Sequence, residues 1–197
     1  MEQLFKFCNG YTPSTKINKF WNQGDIPWFR MEDIRNNGRI LNKITASKFI
    51  TKQAIKNNKL MPSDSFILST TATIGEYALL TVDSWMNQRF TGLVINGLYK
   101  EKILVKFLFY YFPIISNFCK SHLNTSSFPS VDMNELKKFN IPIPPITLQQ
   151  KVVDILDKFE SLISSLTEGL PAEMKIRRQQ YEYYRNKLLT FEKNEYV

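Results

Sequence analysis

The sequence predicts a mixed α/β (α+β) globular domain over residues 1–140, followed by a long helical region over 141–197. Three observations carry that prediction. In the first part, short apolar runs are broken by Gly, Asn, Ser and Pro, the pattern of short strands and helices within one domain. Between the parts, "NIPIPPI" sets Pro142, Pro144 and Pro145 close together, which holds the backbone extended and keeps it out of any helix. Beyond Pro145 the apolar residues recur at helical spacing.

Taken in order, "DSFILST" (64–70) and "YALLTVD" (77–83) predict two strands flanking a turn centred on Gly75. "ILVKFLFYYF" (103–112) is too long for an ordinary strand and predicts a buried helix that stops at Pro113. Past the proline strut, Val152, Leu156, Phe159, Ile163 and Leu166 are four and three apart, one stripe of a helix. "TEGLP" breaks it, with Gly169 suited to a left-handed C-cap and Pro171 to the first turn of a new helix. The second helix carries Met174, Arg177, Tyr181, Tyr184, Leu188 and Phe191 on its own stripe, with Arg177 the misfit. Such stripes are buried either by folding back on the chain's own domain or by a helix of another chain. At 1.5 Å per residue the second helix would span roughly 30 Å, about nine base pairs of duplex, enough to set a distance between two DNA-reading heads.

Charge narrows the partner. The 197 residues hold 26 Lys+Arg against 18 Asp+Glu, a formal charge of +8 with pI near 9.4, and 43% hydrophobic residues support a packed core. That excess favours a polyanion, nucleic acid before an anionic membrane. Only Cys8, Cys119 and His122 are available as soft ligands, so no Cys/His metal cluster can be written and no disulfide framework is expected, consistent with a reducing cytoplasm. "MEQLFKFCNG" lacks the apolar core of a signal peptide, and no membrane span is expected.

Reaction chemistry is sparse. None of the seven glycines builds a Walker or dinucleotide loop, and no serine sits in a nucleophile elbow. Asp132, Glu135 and Lys137 in "VDMNELKK" admit a metal-dependent nuclease as the alternative, although Glu-x-Lys is common on solvated helices. Ile143-Pro144-Pro145-Ile146 has the paired prolines of amino-methyltransferase motifs without the preceding amide or the following aromatic. What remains is an inventory for reading DNA. Arg30, Arg35, Arg39 and Lys43 cluster in one segment; Asn87, Gln88 and Arg89 are types that make bidentate contacts to purine edges. Thr71 and Thr73, before Gly75, and Lys120, His122, Asn124, Ser126 and Ser127 offer donors that position phosphates.

"GDIPWFRMEDI", "STTATIGEYALLTVDSWMNQRF", "SSFPSVDMNELKKFNIPIPPITLQQKVVDILDKF" and "TEGLPAEMKIRRQQYEYYRNKLLTF" together resemble the specificity subunit of type I restriction-modification systems. The resemblance covers nearly the whole chain. It implies a non-catalytic target recognition domain in residues 1–140 and a helical conserved region in 141–197 that sets the gap of a bipartite site and docks methyltransferase subunits, with a restriction subunit as a further partner. S-adenosylmethionine would bind the methyltransferase, not this chain. Members usually carry two recognition domains and two helical regions, and this chain one of each. A half-subunit is therefore expected, pairing with a second copy or a different half through Val152, Leu156, Phe159, Ile163, Met174, Tyr181, Tyr184, Leu188 and Phe191. A paired identical copy implies a palindromic gapped target. Many members have Glu-Gln where this chain has Gln149-Gln150, a change in helix-start electrostatics. An unpartnered, silent gene fragment is the third expectation.

Overall fold

The computed structural model describes the chain apart from residues 57–58, 125–127, 166–170 and 191–197, and gives no side-chain account of 164–165 and 171–174. Two compact units emerge, Met1–Gly97 with Ile115–Phe139, and Leu98–Ile114 with Asn140–Val197.

The first unit is built on a five-stranded sheet. Its strands are β1 (Phe5–Asn9), β3 (Ile40–Leu41), β5 (Ser65–Ser69), β6 (Tyr77–Leu80) and β8 (Phe90–Ile95), in the order β1-β8-β5-β6-β3. All pairings are antiparallel except β3 with β6. β5 and β6 are buried along their whole length, which is why they read as continuous apolar runs instead of alternating ones. Two further groups complete the unit's strands: β4 (Phe49–Ile50), β2 (Ile26–Phe29) and β7 (Trp85–Met86) form one small sheet, and β9 (Leu123–Asn124) pairs with β10 (Ser130–Val131). α1 (Met31–Asn37) follows β2 directly, and its Met31 and Ile34 join Trp28, Phe29, Ile50, Met61 and Met86 in one hydrophobic core. The buried Asp33 carboxylate accepts from Arg30 N at 2.7 Å and Ser47 N at 2.9 Å, tying α1 to the chain that follows it.

The helix expected to stop at Pro113 does not. α2 (Val105–Ser121) runs through the proline. The ring removes one backbone donor from the helix interior, a cost of about 3 kcal/mol. Burial of Phe107, Leu108, Tyr110, Phe112, Ile115 and Cys119 on both sides of it offsets that cost at about 1.5–3 kcal/mol per large side chain.

In the second unit α4 (Ile146–Ser165) starts immediately after Pro145, and α5 (Pro171–Leu188) has its proline at the first helical position. Gly169 and Leu166 lie outside the described residues. α5 packs on α4, where Phe159 stacks on Tyr184 with ring centroids 5.7 Å apart and planes 13° from parallel. Among the described residues no helix is long and apolar enough to cross a membrane.

Candidate nucleic-acid interface

Backbone hydrogen bonds bring three loops of the first unit together. The loop from Thr70 to Gly75 leaves β5 and returns to β6. Ser69, itself buried, closes it: Ser69 N donates to Glu76 O at 2.7 Å, Gly75 N donates to Ser69 O at 3.0 Å, and Ser69 Oγ donates to Thr71 O at 2.9 Å. The turn Asn87–Gln88–Arg89 between β7 and β8 touches the loop through Thr70 N, which donates to Arg89 O at 3.3 Å. The β9–β10 hairpin joins through a Thr71–Ser130 bridge and through Val131 N, which donates to Thr70 O at 2.9 Å. Thr71, Thr73, Asn87, Gln88, Arg89, Lys120, His122 and Asn124 are thereby gathered on one margin of the unit. Ser126 and Ser127 lie outside the described residues.

The loop's shape is held against a backbone preference. Ala72 has φ +60°, a left-handed conformation that costs a non-glycine residue about 1–2 kcal/mol. Gly75 has φ +87°, and a Cβ there would lie 2.8 Å from both Ser116 Oγ and Lys120 Cε, so glycine serves both the turn and the close approach of α2.

The predicted contact residues divide by what already occupies them. Arg30 is half-buried; it pairs with Glu32 at 2.8 Å and donates to Ser47 Oγ at 3.0 Å. Arg39 lies 3.4 Å from a Glu76 carboxylate oxygen and over the Tyr77 ring at 4.3 Å. By contrast Arg35, Lys43, Arg89 and Lys120 are exposed and have no ion pair among the described residues. Arg35, Arg39 and Thr73 share a cavity of about 470 Å³ floored by Met31, Ile34 and Ile74, which connects α1 with the Thr70–Gly75 loop. Lys43 is carried elsewhere: β3 runs parallel to β6, so the chain after Leu41 leaves at the Leu80 end of the sheet, away from Glu76 and the loop.

Five of the polar candidates are partly committed to local structure: Asn124 Nδ2 donates to Val131 O at 3.4 Å, Thr73 Oγ1 lies 3.5 Å from Ser69 Oγ, and the other three are Asn87, Gln88 and His122. Asn87 Oδ1 accepts from Arg89 N at 3.1 Å and shapes the turn, and Gln88 Oε1 accepts from Thr12 Oγ1 at 2.5 Å. His122 Nδ1 lies 3.0 Å from both Phe118 O and Ser121 Oγ, so that ring nitrogen is engaged at the end of α2. Its ring stacks on Phe118 at 3.8 Å. Ser69, Thr12 and Ser130 escaped the sequence reading, since nothing local marks a serine or threonine as the closure of a loop.

The carboxylates of the nuclease alternative are also occupied. Asp132 Oδ1 caps α3 (Met133–Lys138), accepting from Asn134 N at 2.9 Å and Glu135 N at 3.2 Å, while Glu135 pairs with Lys138 at 2.9 Å. Among the described residues no group of three or more His, Cys, Asp or Glu stands where it could hold a metal ion.

Two polar arrangements in the second unit join side chains distant in sequence. Gln149 is fully buried; its Oε1 accepts from Leu104 N at 2.8 Å, and its Nε2 donates to Lys102 O at 2.8 Å and Pro144 O at 2.7 Å. It pins the end of the proline strut, a role that the sequence reading assigned only to helix-start electrostatics. In the other arrangement Tyr110 Oη contacts Asp157 Oδ1 at 2.5 Å and Glu160 Oε2 at 3.0 Å, and Lys106 Nζ pairs with Asp157 Oδ2 at 2.7 Å. Burial, reinforced by both carboxylates, pushes the Tyr110 phenol far above its usual range. Burial also tends to raise Asp157, but hydrogen bonds from Lys106 and Tyr110 outweigh it and hold the carboxyl below its ordinary value. A depressed folded-state pKa stabilises the fold above the unfolded value, near 4, and that contribution disappears as pH falls through the folded value. Lys106→Met is therefore expected to lower the melting temperature by a small, constant amount between pH 5 and 8, since the pair is half-exposed. The gap to wild type should close toward pH 3; a gap that persists there would show that the pair is not its source.

The two helical stripes are only partly exposed. Val152 and Leu156 are buried within this chain and present nothing to a partner, contrary to expectation. Phe159, Ile163, Tyr181 and Leu188 are half-buried, and Tyr184 is exposed. Among the described residues the exposed large apolar side chains of α4 and α5 are Ile146, Leu148, Ile155, Leu162, Ile176, Tyr183 and Tyr184. The Met174 side chain and Phe191 lie outside the described residues.

Comparison with known proteins agrees in sequence and in fold. A family model for the type I restriction modification DNA specificity domain matches residues 1–175. The chain is 46% identical, over 99% of its length, to the type I restriction enzyme EcoprrI specificity subunit of Escherichia coli, covering 50% of that protein. It is 36% identical, again over 99%, to the EcoR124I/EcoR124II specificity subunit of Escherichia coli, covering 48%. The chain thus spans about half the length of the curated relatives it matches. The crystal structure of the HsdS subunit from Thermoanaerobacter tengcongensis superposes with a TM-score of 0.63 at 15% identity, covering 95% of this chain and 43% of that one. A chain from a structural study of complex assembly and conformational transition of the type I R-M system gives 0.64 at 14%, covering 95% and 44%. At such identities the superpositions establish a shared fold.

Proposed function

This chain belongs to the type I restriction-modification DNA specificity family, and from that premise we propose that it is a non-catalytic, cytoplasmic DNA reader that directs an adenine methyltransferase, and with it a restriction subunit, to a bipartite gapped site. The observation that carries the reading is the margin formed by the Thr70–Gly75 loop, the Asn87–Arg89 turn and the β9–β10 hairpin. It is fixed by backbone hydrogen bonds and furnished with Arg89 and Lys120, exposed cations without ion pairs. A rigid loop presenting an unengaged guanidinium suits bidentate contact with guanine, and Lys120 suits a phosphate.

In this proposal residues 1–140 recognise DNA and 141–197 provide spacing and pairing. S-adenosylmethionine binds the methyltransferase. The helical region pairs with a second helical region, from an identical copy or a different half, through Leu162, Ile176, Tyr183 and Tyr184, the four most exposed apolar side chains of α4 and α5 among the described residues.

Methylated adenines mapped in a methylation-free host expressing the chain with its methyltransferase test the reading. A gapped motif is expected, symmetric if identical copies pair; no methylation with both proteins soluble would overturn it. On that motif, Arg89→Ala is expected to weaken binding about tenfold or more and relax the preference at one position. Lys120→Ala should weaken all sequences alike and reduce the salt slope by about one. Arg39→Ala, removing a cation already engaged by Glu76 and Tyr77, should alter stability more than specificity. Equal losses for Arg39 and Arg89 on all sequences would contradict the division drawn between them.

A further inference from the structure

We propose that Phe128 is an apolar wedge that enters a base step of the bound duplex, so that part of the target is read through how easily that step unstacks. The proposal rests on the DNA-reading function above.

Phe128 is 85% exposed, more than any other aromatic side chain among the described residues. Its place is fixed from the C-terminal side. Pro129 restricts the Phe128 backbone to extended conformations. Ser130 then bridges to Thr71 and pairs with Asn124, and Val131 N is bonded to Thr70 O. The hairpin that carries the ring thus lies on the same margin as the Asn87–Arg89 turn and the Thr70–Gly75 loop, against whose Gly75 the Lys120 side chain of α2 packs.

The surroundings favour DNA over protein as what covers the ring. A protein partner would call for a continuous apolar patch, whereas the only other exposed large apolar side chain on the described part of the hairpin is Leu123, 41% exposed, and Thr71, Asn124 and Ser130 are polar. Arg89 and Lys120, exposed and without ion pairs among the described residues, belong to the same margin, and the acids that follow the hairpin are engaged, Asp132 by the α3 cap and Glu135 by Lys138. An exposed phenylalanine carried on a DNA-facing margin is the kind of side chain by which proteins part a base step and kink the duplex. Unstacking is cheapest at pyrimidine–purine steps, so the site should contain a TA or CA/TG step at a fixed position.

The test uses the full chain with its methyltransferase, on duplexes carrying the mapped motif with 2-aminopurine at each adenine in turn. The methylated adenine is omitted, because methyltransferases themselves extrude that base. In the wild-type complex one position should brighten several-fold. Phe128→Ala should return it to the level of free duplex and weaken binding about tenfold, and Phe128→Leu should retain part of the signal. Arg89→Ala should weaken binding while the bound complex keeps the signal. If the wild type binds and no position brightens, or if Phe128→Ala leaves brightness and affinity unchanged, the wedge is wrong while the DNA-reading function stands. A wild type that binds no duplex overturns both.

Discussion

Gln149→Leu is expected to destabilise the chain by about 3 kcal/mol or more. Leucine matches glutamine in bulk, so the loss is polar. One buried backbone donor, Leu104 N, and two acceptors, Lys102 O and Pro144 O, all lose their partner at once. A buried polar group left unsatisfied costs about 1–3 kcal/mol, and three such groups are a large share of the roughly 5–15 kcal/mol that stabilises a typical protein. For a chain of this size that amounts to a fall in melting temperature of about 10 °C. Gln149→Glu is the informative companion. It keeps an acceptor for Leu104 N but sets a carboxylate against two carbonyl oxygens, so the proton is retained to a higher pH than usual. Protonated, the group donates to one carbonyl; ionised, to neither. Its deficit should therefore shrink as pH falls toward 5, while that of Gln149→Leu stays constant. Thermal unfolding of both variants across pH separates the two behaviours, and a Gln149→Leu protein within 1 kcal/mol of wild type would show that the three contacts do not hold the strut.

Gln149 also shows where the sequence stopped speaking. Helices and strands with a regular apolar period were legible from spacing alone: α4, α5 with Pro171 at its start, and β5 and β6 around Gly75. Family membership was legible from the order of motifs along nearly the whole chain. Illegible were events decided by contacts between distant residues. Pro113 reads locally as a stop, and only burial on both sides explains why α2 continues. Val152 and Leu156 read as a partner-facing stripe because periodicity reports that a face is apolar and not what covers it. Arg30, Arg35 and Arg39 look alike in sequence; Glu32, Glu76 and Tyr77 distinguish them, and Glu76 and Tyr77 are 37 and 38 residues from Arg39. The proposed reading margin is assembled from segments around residues 70, 88 and 130, whose closeness is a property of sheet order.

That assembly makes Gly10→Ala the second large effect, and the one that joins stability to recognition. Gly10 N donates to Phe90 O at 3.1 Å, and Tyr11 N donates to Met86 O at 3.0 Å, so the end of β1 grips both flanks of the Asn87–Arg89 turn. A methyl group on Gly10 would lie 2.0 Å from Asn87 O and 2.7 Å from Met86 Cγ. Backbone cannot remain at that distance, so the Asn87 carbonyl must move by roughly 1 Å, and its 3.2 Å bond from Phe90 N goes with it. Overpacking of about 1–3 kcal/mol plus one broken buried hydrogen bond gives an expected loss of about 3 kcal/mol. Arg89, two residues along the same turn, is carried off its position. Binding to the mapped motif should then fall about ten- to a hundredfold, the value of a good bidentate base contact, with binding to unrelated DNA little changed. Gly97→Ala is the control, because a Cβ there meets nothing within 4 Å and stability should stay within about 0.5 kcal/mol of wild type. Unfolding curves and paired affinities on specific and unrelated duplexes settle the matter. A Gly10→Ala protein that is destabilised but reads its motif normally would place recognition away from the Asn87–Arg89 turn, and toward Arg35 and the α1 side of the unit.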